Sequence, residues 1–359
     1  MATTTLAASE DPLVATRTLL HARRRRAWSA LTLLAALLLV ATVFAVGMGA
    51  MKIRPAQVAS VLLHPAEADA AQAGVLWSLR LPRVLLAVLV GGGLALSGAS
   101  MQGMFRNPLA DPALTGVSAG AALGAVASIV FAERLGFHAL PLWALPVCAF
   151  AGGLAATATV NLLGCDDSGT SVAGLLLAGI AVNAFCGAGI GLATFVANDA
   201  QLRSITFWSL GSLGAANWST CALLFPLTLL CGTVLLRQSR VLNAMLLGEA
   251  EAGHLGFRVE TCKCLLLAGT ALLVGASVSV VGIVGFIGLV APHLARLTLG
   301  PDHRFLLPVS TLLGALLLLV ADTICRTVAA PAEIPVGVAT ALLGAPFFLW
   351  LLRRERRAA

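Results

Sequence analysis

Asp322 is the residue whose type and place first suggest chemistry, because it stands just past a long apolar run with Arg326 four residues further on. An acid at membrane depth is by default a candidate for moving a proton or an ion. A relay needs further acids or histidines within the apolar runs, and only His293 is available. An i,i+4 ion pair between Asp322 and Arg326 is the stronger explanation, since four residues bring two side chains to one helix face. Other reactive constellations are missing. The chain has no His-Glu-x-x-His, no paired aspartates within an apolar run and no serine beside a plausible base, so it carries no catalytic constellation. Nor has it a Gly-x-x-x-x-Gly-Lys-Ser/Thr loop, so any nucleotide chemistry belongs to a partner. The eight cysteines fall mostly in or beside apolar runs, and Cys262 with Cys264 lacks Cys-x-x-Cys spacing. Small apolar filler is their expected role, and no metal site is assigned.

The elements that position Asp322 belong to a bilayer. Of 359 residues, 59% are hydrophobic and 11% charged, against about a quarter charged in a soluble domain. Folded in water, such a chain would expose more apolar surface than one core can bury. The net charge of +7 comes from short basic clusters between apolar runs, which points to topology and not to nucleic acid. Arg23 to Arg26 precede a run of 22 uncharged residues, 28–49; a signal peptide's apolar region has about 7–15, so this segment reads as a retained anchor.

A spanning helix needs about 20 apolar residues, with every backbone amide bonded inside the segment. Runs that qualify lie at 28–49, 84–104, 112–131, 140–163, 170–197, 219–236, 265–281, 305–320 and 335–352. A shorter run, 282–295, completes a tenth; Gly282, Gly285, Gly288 and Pro292 suggest a broken or half-length helix. The expected fold is all-α, one polytopic domain over 28–352, with a cytoplasmic segment 1–27 and a cytoplasmic basic tail 353–359. Ten spans with both termini inside place sixteen Lys and Arg on the cytoplasmic side and seven outside: Lys52, Arg54, Arg80, Arg83, Arg134, Arg203 and Arg326. All six tryptophans fall at or near span ends, where an aromatic belt would put them.

Gly116, Gly120 and Gly124 form a small-xxx-small ladder; tight packing inside one bundle explains it better than a dedicated dimer motif. Two stretches outside the spans are patterned. Residues 201–216 suit a short helix on the outer surface, and 241–259 mix apolar residues with Glu249, Glu251, His254 and Arg258. That apolar and acidic cytoplasmic surface needs a partner.

At this point the chain resembles a known family, the permeases of binding-protein-dependent ABC importers for iron siderophores, heme and cobalamin. The likeness rests on Arg80-Leu-Pro-Arg83, Gly98-Ala-Ser-Met-Gln-Gly103, Asn107-Pro-Leu-Ala-Asp-Pro112, Gly116-Val-Ser-Ala-Gly120 and Gly285-Phe-Ile-Gly-Leu-Val-Ala-Pro-His293. Asp302-His-Arg304, Ala321-Asp322, Glu333-Ile-Pro-Val-Gly337 and Leu343-Gly-Ala-Pro346 continue it, so it covers residues 80–352. The resemblance implies a type II ABC importer permease fold in a bacterial inner membrane, pairing with a second copy, two ATPase subunits that carry ATP and Mg, and a periplasmic substrate-binding protein. The chain itself would be non-catalytic and bind no cofactor, lipid would surround it, and the cargo would be heme or another iron chelate. The stretch 326–352 is most like heme permeases.

In that frame Gly248, Glu249, Ala250, Glu251, Ala252, Gly253, His254, Leu255 and Gly256 are similar to the coupling helices that sit in a groove of the ATPase. Arg80, Arg83 and Arg326 match positions that dock acidic side chains of the binding protein, a task that suits the planar guanidinium fork; the alternative is that they anchor helix ends or pair internally. Arg203 is a candidate to face the pathway and attract an anionic cargo. A secondary transporter shares broken helices and repeats, but it needs no cytoplasmic docking segment.

Overall fold

The computed structural model describes residues 12–49, 51, 53–63, 69–132, 143–166 and 169–358. Residues 1–11 of the N-terminal segment, Lys52, Arg134, the first residues of the expected 140–163 span and the last residue of the tail lie outside them. The elements run α1 (Pro12–Gly47), α2 (Pro55–Leu63), α3 (Ala70–Gly74), α4 (Leu81–Met104), α5 (Val117–Phe131), α6 (Ala144–Gly164), α7 (Val172–Phe195) and α8 (Asp199–Ser209). They continue with α9 (Trp218–Arg237), α10 (Ser239–Met245), α11 (Glu249–His254), α12 (Val259–Val281), α13 (Ile287–Leu299), α14 (His303–Val328) and α15 (Val336–Ala358). A two-residue hairpin pairs Cys165 with Thr170 and Asp166 with Gly169 between α6 and α7, a small addition to an otherwise all-α fold.

Seven helices are long and apolar enough to cross a membrane, and α5, α13 and the apolar part of α15 are shorter. Among the described residues these make ten apolar helices, matching the ten runs in the sequence. The ends differ in instructive ways. One helix, 36 residues long, runs through the boundary expected at residues 27 and 28, because no Gly or Pro interrupts the chain after Pro12 until Gly47. The run expected to end at 320 continues as helix to Val328; Asp322 and Arg326 do not stop it because their charges are matched inside the bundle. Ahead of α4, Val75–Arg80 form a π-helical turn that joins α3 to α4. Pro82 lies just beyond it at the first turn of α4, where its missing N–H perturbs the regular ladder.

Helix α4 is the centre, with α14, α13, α12 and α9 packed around it. Glycine makes this closeness possible. A Cβ on Gly98 of α4 would stand 1.8 Å from the Gly288 carbonyl of α13, and one on Gly91 2.4 Å from the Gly314 carbonyl of α14. The Gly116–Gly120–Gly124 ladder serves packing within the chain: Cβ atoms at Gly120 and Gly124 would meet the Gly152 and Cys148 carbonyls of α6. Large apolar side chains point outward elsewhere, among them Phe185, Leu192 and Phe195 of α7 and Leu229 and Leu230 of α9, as lipid-facing surfaces do.

The expected broken helix is a real break. Helix α12 ends at Val281 and α13 starts at Ile287, with residues 282–286 non-helical between them. The segment after α8 closes over that break, where Ser212 donates its backbone N–H to Val281 at 2.7 Å. Gly282 has φ +74° and lies against the Trp208 carbonyl, so no side chain fits there.

Candidate functional site

The charged residues singled out in the sequence gather at the two ends of the bundle. At the first, α14 delivers Asp322, fully buried, and Arg326 one turn later. Their pair exists, but at 3.6 Å from Arg326 Nε to Asp322 Oδ2 it is the weaker half of the arrangement. Arg83 of α4 makes the short contacts. Its Nη2 donates to Asp322 Oδ1 at 2.8 Å and its Nε reaches both carboxylate oxygens at 3.0 and 3.1 Å. On its other edge Nη1 donates to Glu333 Oε1 and Oε2 at 2.8 and 2.9 Å. One guanidinium thus bridges a buried and a half-exposed carboxylate, using the fork geometry that lysine lacks.

The remaining two arginines turn inward. Arg80, 5% exposed, donates to the Val46 and Gly47 carbonyls at 2.8 and 3.0 Å and to that of Met51. Arg326, 6% exposed, donates to the Ala45 and Met48 carbonyls at 2.5 and 3.1 Å. Both therefore donate to the last carbonyls of α1, where the helix dipole also favours a cation. Of the two roles expected for Arg80 and Arg326, docking a partner and anchoring a helix end, the structure shows the contacts of the second. A cavity of about 310 Å³ opens between them, Arg83 and Glu333. Glu333 was visible in the sequence only as part of a motif; its role depends on a contact 250 residues distant.

Arg203 sits on α8, exposed, and makes no ion pair among the described residues. That helix begins with a capping box between Asn198 and Gln201 and buries Ile205 against Val126, Val130 and Ala193. The structure brings Arg203 to no other candidate residue.

At the opposite end lies the segment from Gly248 to Gly256. Gly248 (φ +135°) and Gly256 (φ +87°) bracket α11 with conformations that side chains resist. Ala252 is fully buried and pins the helix, whereas Ala250, Glu251, Gly253, His254 and Leu255 face out. The pin is reinforced by Lys263, one of the most buried side chains in the chain. Its Nζ donates to Glu249 Oε2 at 2.5 Å, Glu260 Oε1 at 3.0 Å and the Thr170 carbonyl at 2.8 Å. Glu260 in turn accepts the Thr170 N–H at 2.9 Å. One ammonium so ties α11, α12 and the hairpin together, a role that its place in a basic cluster did not reveal. Helix α10 is held by Asn243, which donates to Asp302 at 2.6 Å and accepts the His303 N–H at 2.8 Å.

Ten apolar helices among the described residues, seven of them long and apolar enough to cross a membrane, mark a multi-pass membrane protein. The chain belongs to the FecCD transport family, whose model matches residues 37–354. It is 52% identical over 279 residues to the hemin transport system permease protein HmuU of Yersinia pestis, covering 78% of this chain and 83% of that one. It is 44% identical over 284 residues to the vitamin B12 import system permease protein BtuC of Escherichia coli, covering 78% of this chain and 84% of that one. Among solved structures it superposes with a TM-score of 0.78 and 34% identity on an inward-facing metal-chelate type ABC transporter, covering 91% and 99% of the two chains. The family resemblance and the ABC permease fold inferred from the sequence motifs are thus borne out.

Proposed function

We propose that this chain is the membrane subunit of an ATP-driven, binding-protein-dependent importer, working as a homodimer with both termini in the cytoplasm, and that its cargo is heme or another iron chelate. The observation that carries the reading is the presentation of α11: a short helix held from behind by Ala252 and Lys263, with its acidic and apolar face turned outward. Such a face suits docking in a groove of an ATPase that supplies the nucleotide and Mg site this chain lacks. In sequence it is flanked by Arg237, Arg240 and Arg258, on the end that the positive-inside rule makes cytoplasmic. The opposite end, where Glu333 and the edge of Arg83 border an open cavity, would receive the substrate-binding protein. There Arg83 is the docking arginine best placed to exchange Glu333 for a partner's carboxylate. Membership of the family supports the mechanism, and the 52% identity to a hemin permease supports the cargo. Arg203 is proposed to attract an anionic cargo from the surface of α8.

The cargo is tested by uptake into proteoliposomes holding the chain and its ATPase, with binding proteins loaded in turn with heme, a ferric siderophore and cobalamin. Heme uptake well above the other two is the expected result, and selective cobalamin uptake would overturn the cargo assignment. Replacing Arg203 by alanine should lower transport while leaving assembly and basal ATP hydrolysis intact; unchanged transport would remove it from the pathway.

A further inference from the structure

A cavity of about 570 Å³ lies between α1, α10 and the turn from α13 into α14, apart from the Arg83–Asp322 clamp and from α11 itself. Its wall is amphipathic: Arg23, Arg24 and Arg304 line it together with Trp28, Phe305 and Leu246. Trp28 and Phe305 meet edge to face with ring centroids 6.3 Å apart, forming an aromatic floor. None of the three guanidiniums has an ion-pair partner among the described residues. Asp302 also lines the cavity, but its Oδ1 is engaged by the Arg304 N–H at 3.0 Å and the Asn243 amide at 2.6 Å. Three guanidiniums against that one carboxylate leave the cavity a net positive charge. A second cavity, of about 530 Å³, continues round α1 along His21, Arg25 and Ser29 and shares Arg24 and Trp28 with the first.

The place of this cavity in the chain matters as much as its charge. Trp28 opens the first apolar run two residues after the last of four consecutive arginines, so the boundary between headgroups and hydrocarbon falls along the cavity wall. We propose that the cavity binds the headgroup of an anionic phospholipid, its phosphate against Arg23, Arg24 and Arg304 and its glycerol backbone against Trp28 and Phe305. Guanidinium forks match phosphate oxygens pairwise, and basic pockets between membrane helices are the usual seat of anionic headgroups. A soluble phosphate would satisfy only the basic part; the aromatic floor calls for an amphiphile. The bound lipid would bridge α1 to Asn243, whose side chain also holds Asp302 and His303, and so brace the α10 segment that leads into α11. The proposal is independent of cargo and driving force.

Trp28 is a built-in reporter. The full chain is placed in phosphatidylcholine nanodiscs that carry brominated phosphatidylglycerol or brominated phosphatidylcholine at equal mole fraction, and the Trp28 signal is taken as the difference from W28F. Brominated phosphatidylglycerol should quench it several-fold more strongly. That excess should vanish in R23Q/R24Q and shrink in R304Q, and persist in R237Q/R258Q, which removes two exposed arginines outside the cavity. Equal quenching by the two lipids, or an excess that survives R23Q/R24Q, would overturn the proposal. An excess abolished by millimolar inorganic phosphate would overturn it too, by assigning the site to a soluble anion.

Discussion

At one end of the bundle a single buried acid, Asp322, is shared by Arg83 and Arg326; at the other a single buried cation, Lys263, is shared by Glu249 and Glu260. The two networks mirror each other in charge but differ in what they join. Asp322 and its arginines bind α4, α14 and the C-terminus of α1, all of them membrane helices, and the network reaches solvent at Glu333, on the far edge of Arg83. Lys263 joins a membrane helix to α11 and to the hairpin, and its carboxylates are 32% and 51% exposed. A charge cluster centred on a buried acid between membrane helices holds a bundle together. One with open carboxylates tethers a surface helix without freezing it, and that is the property a docking element needs.

The contrast can be broken by substitution. The largest effect is expected at Asp322→Ala, which leaves two buried guanidiniums without their acid and should cost about 3–5 kcal/mol; thermal unfolding in detergent should show loss of a stable fold. Retention of the native melting temperature would mean that Glu333 holds Arg83, and the α1 carbonyls hold Arg326, without the acid. Lys263→Met should be milder, about 1–3 kcal/mol, because the orphaned carboxylates can turn to water. Its signature should be local: faster hydrogen exchange in α11 with the core of α4 unchanged. Uniform loss of protection would show that Lys263 also holds the bundle. Glu333→Gln should cost less than about 1 kcal/mol, since Glu333 is half-exposed. A larger drop in melting temperature would place Glu333 inside the clamp. Smallest of all for stability should be Leu255→Arg on the open face of α11, which should leave melting untouched yet prevent co-purification of the ATPase; unchanged co-purification would move the contact elsewhere.

Hydropathy alone placed the ten apolar helices, because a bilayer demands long uninterrupted runs. What it mistook were the ends of runs that carry charge. Asp322 and Arg326 look like a terminus in the sequence, whereas in the structure they lie within α14 because α4 supplies Arg83. The i,i+4 spacing disclosed the Asp322–Arg326 pair but not the shorter Arg83 contacts, which depend on the close crossing of α4 and α14 at Gly91 and Gly314. Lys263 was hidden for a like reason. Its link to Glu260 is local, but Glu249 and Thr170 approach it only through tertiary folding. The α11 segment was recognisable by its motif, whereas the inward turn of Arg80 and Arg326 required knowing where α1 ends.

The most direct test of the importer reading separates its two possible energy sources. Proteoliposomes holding the chain, its ATPase and cargo-loaded binding protein are given ATP without an ion gradient, and in a parallel experiment a proton or sodium gradient without ATP. Uptake that needs ATP and ignores the gradient is the predicted result; uptake driven by the gradient with no ATPase present would contradict the account.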